Sequence, residues 1–346
     1  MFGGSDIGVD LGTANVLVYV KGKGIVLQEP SVVAIDRDSK RVIAVGAEAR
    51  KMIGRTPGNI IAIRPLRDGV IADFEITEKM LKYFINKAEG GGRKMFFRPR
   101  VMICVPTGAT GVEERAVLQA ALQAGARQAH LIEEPLAAAL GAGLDISQPS
   151  GTMMVDIGGG TTDVAVLSLG GIVCCKSLRV GGDKFDEAIV KYIRREFNLA
   201  IGERTAEDLK IEIGTAFPDG ADEKSAEIRG RDLVSGLPVA VTVTRRQLQA
   251  AIRENLELVL SAVREVLERI SPELSADIIN KGIVMTGGGS LLDGLDRLIC
   301  RETGVPVYVA EDAISCVAKG TGLALNMLPV LAATSSRKKP DSRAAI

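Results

Sequence analysis

Two segments of the chain share the residue types and the spacing that a phosphate site needs. The first, residues 6–20, reads DIGVDLGTANVLVYV, and the second, residues 155–169, reads VDIGGGTTDVAVLSL. In each, an apolar strand reaches an aspartate, Asp10 or Asp156, and a turn rich in Gly and Thr leads into a second β-rich strand. This duplication indicates two similar half-domains that face each other across one nucleotide.

The chemistry of the two turns supports this interpretation. Glycine allows a ligand to approach the backbone closely, and successive N–H groups in such a turn form a concavity that binds anions. Both turns add side-chain donors: Thr13, Asn15, Thr161 and Thr162. Asp10 and Asp156 would repel a phosphate, so they fit a hard cation such as Mg²⁺ that keeps several of its waters. The alternative is two ordinary β-hairpins, which the repeated placement of the aspartates disfavours.

Bulk composition excludes several classes of protein. The 346 residues favour about two domains. Lys+Arg and Asp+Glu both number 43, and aromatic residues make up 3%, so neither a basic field nor stacking platforms indicate nucleic acid as a partner. His130 is the only histidine, which argues against Ser/His or Cys/His catalysis and against His-ligated metals. No apolar run reaches the roughly 18 residues of a membrane span.

Strand and helix patterns alternate along the chain, which predicts an α/β protein. The clearest helix is predicted at residues 246–270, where apolar residues step by threes and fours. A helix at 77–88 is expected to be capped by Thr77, and a helix at 205–213 by Thr205. A further helix is expected from about Leu291.

Two other segments carry groups that suit a nucleotide site, each with a structural alternative. Gly287–Ser290 closes a strand and opens a helix, where a nucleotide can pass close to the backbone, but a simple tight turn has the same pattern. Glu133 and Glu134 end a strand just before Pro135. A carboxylate there could orient a water that attacks a γ-phosphate. The position of these two glutamates alone favours a structural role instead, in which a carboxylate stabilises the N-terminus of the following helix.

Two more candidates concern a nucleoside and a membrane. Glu207 and Lys210 lie three apart on one helix face, where they form either a solvent-exposed pair or a grip on a nucleoside. Met95, Phe96 and Phe97 stand in a Gly-rich loop flanked by Arg and Lys, which suits either a membrane-surface contact or insertion into the core.

Taken together, three motifs resemble the phosphate-1, phosphate-2 and adenosine motifs of the actin/Hsp70/sugar-kinase superfamily. These are Asp10–Asn15, Asp156–Asp163 and Gly287–Ser290. Four further segments resemble the MreB/Mbl family of bacterial actin homologues in particular: residues 24–33, 63–74, 132–135 and 202–207. The likeness runs from about residue 5 to about residue 330.

The resemblance implies an actin-like two-lobed fold, in which duplicated ribonuclease-H-like domains carry smaller inserted subdomains. Lobe I is expected at residues 1–148 with a small subdomain at about 33–66, and lobe II at 149–330 with one at about 184–245. Residues of about 313–330 are expected to pack back on lobe I, and 331–346 to form a flexible tail.

The resemblance also implies roles for individual residues around bound ATP and Mg²⁺. Glu134 matches the position that orients the attacking water, with Thr161 opposite, which reverses the preference from spacing alone and leaves Glu133 as the alternative. Asp10 and Asp156 are expected near the metal, through water. The phosphates are expected at Thr13, Ala14, Asn15, Gly158, Gly159, Gly160 and Thr162. The nucleoside is expected at Glu207, Asp208, Leu209, Lys210, Gly287, Gly288, Gly289 and Ser290.

Finally, the resemblance implies slow ATP hydrolysis coupled to polymerisation into filaments that direct rod-shape cell-wall synthesis. The expected partners are other copies of the chain, the cytoplasmic membrane surface and the cell-wall elongation machinery, with the protein on the inner face of that membrane. Only Met1–Ser5 precede the first strand, so membrane contact is assigned to Met95–Phe97. Two alternatives are an Hsp70-like ATPase, against which the absence of a peptide-binding domain speaks, and a small-molecule kinase, in which Glu134 would be the base.

Overall fold

The computed structural model describes residues 5–90, 98–218 and 224–328. The predicted membrane loop Met95–Phe97 and the predicted tail 331–346 lie outside these ranges. Within them the chain is an α/β protein with two five-stranded sheets and three smaller ones. None of the described helices is both long enough and apolar enough to cross a lipid bilayer.

The first large sheet has the strand order β10-β9-β1-β2-β3. Its strands are β1 (Asp6–Leu11), β2 (Asn15–Val20), β3 (Gly24–Pro30), β9 (Arg100–Val105) and β10 (Gln128–Glu133). Strands β1, β2 and β3 form an antiparallel meander, and β9 and β10 run parallel to β1. Strand β1 alternates along its length: Ile7, Val9 and Leu11 are buried on one face, and Asp6, Gly8 and Asp10 lie on the other.

The second large sheet repeats this topology in the order β13-β12-β11-β17-β18. Its strands are β11 (Thr152–Ile157), β12 (Thr162–Ser168), β13 (Gly171–Leu178), β17 (Ile283–Thr286) and β18 (Val307–Val309). Again three strands form an antiparallel meander and two run parallel to its first strand. The duplication that the two aspartate motifs predicted therefore extends to both whole sheets.

Each half also contains a three-stranded antiparallel sheet. One comprises β4 (Val33–Asp36), β5 (Val42–Val45) and β6 (Ile60–Ile63), and the other β14 (Leu199–Ala200), β15 (Ser225–Asp232) and β16 (Pro238–Thr244). A short hairpin joins β7 (Leu66–Arg67) to β8 (Val70–Ile71). The small sheets lie within the segments expected to form subdomains, while the domain boundaries themselves stay a prediction.

Ten α-helices surround the sheets in the described ranges. They are α1 (Ala47–Met52), α2 (Phe74–Ala88), α3 (Gly111–Gln123), α4 (Glu134–Gly141), α5 (Gly182–Phe197), α6 (Glu203–Ile213), α7 (Arg245–Glu268), α8 (Pro272–Lys281), α9 (Leu295–Thr303) and α10 (Cys316–Ala324). Helices α2 and α3 contribute to the core on one face of the first sheet, and α5, α6, α7 and α9 to that of the second.

A third apolar core lies between the two large sheets. It joins the other faces of β9 and β11 through α4 and α10. The backbones of these two helices are in close contact where they cross. A Cβ atom on Gly141 or on Gly320 would overlap the backbone of the other helix, so glycine allows this approach. Helix α10 also packs against β1.

Three predicted helix starts are wrong, each for a local reason. Helix α2 begins three residues before Thr77, because Asp73 accepts the Ile76 N–H at 3.1 Å and serves as the cap. Helix α6 begins before Thr205, with the extended residue Gly202 at its N-cap. The glycine run leads first into a 3₁₀ turn, Gly288–Leu291, and the α-helix starts only at Leu295.

Candidate functional site

The two glycine-rich turns meet at the centre of the molecule. The turn between β1 and β2 faces the turn between β11 and β12, and a Cβ atom on Gly159 would lie 2.6 Å from the Cβ of Ala14. A cleft of about 620 Å³ opens beside them. The sequence predicted that both turns share one site, and the structure brings them into contact there.

Most of the predicted site residues line this cleft. They are Asp10, Thr13, Ala14, Asn15, Glu134, Asp156, Gly158, Gly159, Gly160, Thr161, Glu207, Lys210, Gly287, Gly288 and Gly289. The roles assigned to them stay predictions, because the structure places the residues without identifying a ligand.

Four predicted residues do not line the cleft. Leu209 is 2% exposed and packs in the apolar core of the second half, because it shares the buried face of α6 with Ala206 and Ile213. Asp208 is exposed near Arg204. The hydroxyls of Thr162 and Ser290 donate to backbone carbonyls, that of Thr162 to Val180 at 2.7 Å and that of Ser290 to Gly287 at 2.6 Å, which holds their loops in shape.

Hydrogen bonds hold the two turns in place. Thr13 Oγ1 accepts the Gly69 N–H at 3.1 Å, and Ser31 Oγ donates to the Gly12 carbonyl at 2.5 Å. In the second turn the Gly158 N–H donates to the Thr161 carbonyl at 2.9 Å, which closes the hairpin. A preorganised loop of this kind can bind an anion with little loss of conformational entropy.

Four carboxyl groups gather beneath the turns: Asp156 and Asp163 are buried, and Asp10 and Glu134 are half-buried. Burial raises the pKa of Asp10 to about 6 and that of Asp156 to about 7, and the neighbouring carboxylates add to the rise for Asp156. The pKa of Glu134 is raised well above its usual value, first by burial and then by Asp163, Asp156 and Asp10. Like charges brought this close favour binding of a cation.

Asp163 is a site residue to which sequence reasoning gave no role. Its Oδ1 accepts from the N–H and the Oγ1 of Thr107, at 2.9 and 2.7 Å, and its negative charge helps to raise the pKa of Glu134. The sequence could have suggested Asp163 as a site residue, because it ends the second motif. In the structure it pairs with Asp156 across the hairpin.

The carboxyl groups at the cleft could hold a cation together with its waters. In the described part of the chain no cluster of three or more His, Cys, Asp or Glu side chains has the arrangement of a direct metal site. Mg²⁺ commonly keeps several waters and takes one or two carboxylates together with substrate phosphates. Asp10 and Asp156, both facing the cleft, therefore fit the predicted contact through water.

Glu207 and Lys210 do not form the solvent-exposed pair that was one sequence interpretation. Lys210 Nζ lies 2.8 Å from Asp186 Oδ1 and donates to the Gly182 carbonyl at 3.0 Å. Glu207 Oε2 instead accepts from Arg50 Nη2 at 2.5 Å. Both side chains are mostly buried and both line the cleft, while their contact with a nucleoside stays a prediction.

Two ion pairs span the rim of the cleft. Arg50 on α1 reaches Glu207 on α6, and Arg64, which follows β6, reaches Asp183 on α5 at 3.1 Å. Both arginines come from the first half and both carboxylates from the second. The pairs therefore tie the two halves together beside the cleft, which Glu207 and Asp183 both line.

The glycine loop after β17 packs tightly on the central strand of the second sheet. Gly287 has φ +81°, and a Cβ atom there would overlap the backbone of Ile157. Gly289 is held equally close to the Ile157 side chain. Glycine is thus required at both positions by the close approach, and the loop forms one wall of the cleft.

Comparison with known proteins identifies close relatives. The family model described as "MreB/Mbl protein" matches residues 4–332. The cell shape-determining protein Mbl of Bacillus subtilis is 58% identical over 326 residues, which cover 94% of this chain and 97% of Mbl. The cell shape-determining protein MreB of Escherichia coli is 55% identical over 330 residues, 94% of each chain.

A solved structure shares the whole fold. MreB5 of Spiroplasma citri, solved bound to ADP, has a TM-score of 0.89 and 39% identity, and the match covers 95% of this chain and 98% of MreB5. The same protein bound to AMPPNP gives a TM-score of 0.89 at 38% identity. These matches confirm the expected actin-like two-lobed fold.

Proposed function

We propose that this chain, which belongs to the MreB/Mbl family, is a cytoskeletal ATPase that polymerises into membrane-associated filaments and directs rod-shape cell-wall synthesis. The observation that carries the proposal is the pair of facing turns, each with an aspartate that lines the same cleft. The relatives Mbl and MreB are cell shape-determining proteins. MreB5, which has the same fold as this chain, was solved bound to ADP and to AMPPNP.

The cleft suits a nucleoside triphosphate with Mg²⁺. The two turns offer backbone N–H groups and the side chains of Thr13, Asn15 and Thr161 to the phosphates. Mg²⁺ would supply positive charge that neutralises both the phosphates and the carboxylates of Asp10 and Asp156. Glu207 and Lys210 lie where the nucleoside would contact α6.

Hydrolysis needs a group that orients a water beside the γ-phosphate. Glu134 stands at the start of α4, faces the cleft and lies close to the carboxyl groups of Asp10, Asp156 and Asp163. The positive charge of bound Mg²⁺ would favour the ionised form of Glu134. As a carboxylate it can accept a hydrogen bond from the attacking water and take up its proton as the P–O bond forms. Thr161 on the opposite turn would hold the water or the phosphate from the other side.

A titration of the purified protein with ATP and ADP, each with and without Mg²⁺, tests this assignment. We expect both nucleotides to bind, Mg²⁺ to strengthen binding, and phosphate to be released slowly from ATP. Failure to bind either nucleotide under any condition would contradict the proposal. Phosphate release that requires an added sugar would indicate a small-molecule kinase.

The rim ion pairs should slow nucleotide release. In Arg50→Ala we expect the dissociation rate of ADP to rise by roughly two- to fivefold, because partly exposed ion pairs contribute about 0.2–1 kcal/mol. Stopped-flow displacement of a fluorescent ADP analogue measures the rate. Lys51→Ala is the matched control, since Lys51 is on the same helix but pairs only locally with Glu48. Equal ADP dissociation rates in the unchanged protein, Arg50→Ala and Lys51→Ala would contradict a role of the rim ion pairs in slowing nucleotide release.

Filament formation makes other copies of the chain its principal partner. If hydrolysis is slow compared with assembly, recently added subunits would hold ATP and subunits added earlier would hold ADP. The proposed filament lies on the inner face of the cytoplasmic membrane, in contact with the cell-wall elongation machinery. The names of the relatives support the role in cell shape.

Membrane attachment is assigned to Met95, Phe96 and Phe97. Burial of an apolar side chain contributes roughly 1.5–3 kcal/mol, so replacing all three by Ser should weaken binding to anionic liposomes by more than about 100-fold. Co-sedimentation with ATP, ADP or no nucleotide measures this loss, and we expect binding of the unchanged protein to depend on ATP.

A matched control replaces apolar residues elsewhere by Ser. Leu169 and Val173 are 63% and 52% exposed near the turn between β12 and β13. The double Ser variant should sediment with liposomes like the unchanged protein. Equal losses in both variants, or liposome binding that survives the triple change, would exclude Met95–Phe97 as the attachment site.

A further inference from the structure

Both aspartates of the cleft receive a hydrogen bond from the neighbouring parallel strand. Asp156 on β11 is in register with Thr286 on β17, and Thr286 Oγ1 donates to Asp156 Oδ1 at 2.6 Å. On the other sheet, Val9 of β1 is in register with Ile103 of β9, and the next residue along β9, Cys104, donates from Sγ to Asp10 Oδ1 at 3.3 Å. The two halves thus use the same position in the fold but different donors.

Neither donor reaches the cleft. Cys104 is 4% exposed and Thr286 is fully buried, and both stand behind the carboxylates they contact. Burial, together with the nearby carboxylates of Asp10 and Glu134, raises the pKa of the Cys104 thiol well above its usual value. The thiol therefore keeps its proton and can act as a donor.

We propose that Cys104 and Thr286 are equivalent positioning residues, each of which orients the carboxylate that its half of the cleft presents to a cation–phosphate group. This inference rests on the proposed function in taking that group to be a nucleotide with Mg²⁺. Partners of this kind behind a metal-binding group commonly change metal affinity by about 10- to 100-fold.

The two donors differ in strength, and this predicts an asymmetry. A hydroxyl is a strong donor and a thiol a weak one. Asp156 is therefore oriented more firmly than Asp10, and loss of the Thr286 hydroxyl should matter more than loss of the Cys104 thiol. A purely structural role for the two buried residues predicts no such order and no dependence on Mg²⁺.

Nucleotide affinity with and without Mg²⁺ tests the roles of both residues. In Thr286→Val, which keeps the shape of the side chain, we expect ADP affinity in Mg²⁺ to fall by roughly 10- to 100-fold. In Cys104→Val we expect a loss of roughly two- to fivefold. Without Mg²⁺ both variants should bind ADP like the unchanged protein, and Thr286→Ser should restore affinity in Mg²⁺. Equal losses with and without Mg²⁺ would overturn the proposal.

An infrared measurement tests the Cys104–Asp10 contact in protein without nucleotide. The S–H stretching band of Cys104 is assigned by its loss in Cys104→Ser. In Asp10→Asn the band should move to higher frequency, because an amide oxygen is a weaker acceptor than a carboxylate. An unchanged band would overturn the assignment of Cys104. If the unchanged protein bound no nucleotide, the proposed function would fail, while the infrared shift would still report the contact itself.

Discussion

Glu134→Gln should bind ATP with near-normal affinity and release phosphate roughly 10²- to 10⁴-fold more slowly than the unchanged protein, the usual contribution of a general base. The amide keeps the size of the side chain and can still donate or accept a hydrogen bond, but it cannot take up a proton. Glu134 lines the cleft at the start of α4, with its carboxyl among those of Asp10, Asp156 and Asp163. Phosphate release in a single turnover, together with equilibrium ATP binding, measures the two effects separately.

Glu133→Gln is the matched control, because it makes the same change one residue earlier. Glu133 ends β10, pairs with Val105 in the sheet and does not line the cleft. Its variant should release phosphate at the normal rate. If Glu133→Gln were the slow variant and Glu134→Gln the normal one, the assignment of the water-orienting carboxylate would be wrong.

Gly159→Ala should lower ATP affinity by about 10- to 100-fold. The new Cβ atom would lie 2.6 Å from the Cβ of Ala14 and 3.1 Å from its backbone nitrogen, so the two turns must move apart. Overpacking of this kind costs about 1–3 kcal/mol, and here the strain falls on the two loops that would hold the phosphates. Isothermal titration with ATP and Mg²⁺ measures the affinity, and circular dichroism during heating checks that the fold is retained.

Gly158→Ala is the control for this change. A Cβ atom on Gly158 would have the Thr161 carbonyl oxygen as its nearest neighbour, at 3.6 Å, which is an ordinary contact. This variant should bind ATP within a fewfold of the unchanged protein. Similar affinities in Gly158→Ala and Gly159→Ala would show that contact between the two turns does not shape the site.

The sequence predicts the central part of the site well because the information there is local. The strands around Asp10 and Asp156 are apolar and β-branched, and glycine marks the turn after each. Family resemblance added the two-lobed fold, which the match to MreB5 confirms. Helix starts were less predictable, because Asp73 competes with Thr77 as a cap and local propensity does not decide between them.

The ion pairs at the rim of the cleft could not be predicted from the sequence, because they depend on contacts between distant parts of the chain. Arg50 and Glu207 are 157 residues apart in the chain, and only the packing of the two halves makes them neighbours. The hydrogen bond of Cys104 likewise depends on the register between β1 and β9. The burial of Leu209, by contrast, follows from its i, i+3 and i, i+4 spacing to Ala206 and Ile213, and that pattern was readable in the sequence.

Sedimentation of the purified protein over a range of concentrations, with phosphate release followed in the same samples, tests the central claim most directly. We predict that ATP with Mg²⁺ gives a pelleted polymer above a threshold concentration, and that phosphate release rises steeply at that same threshold. Phosphate release proportional to protein concentration, with no polymer at any concentration, would contradict the account and favour a monomeric ATPase of the chaperone or kinase type.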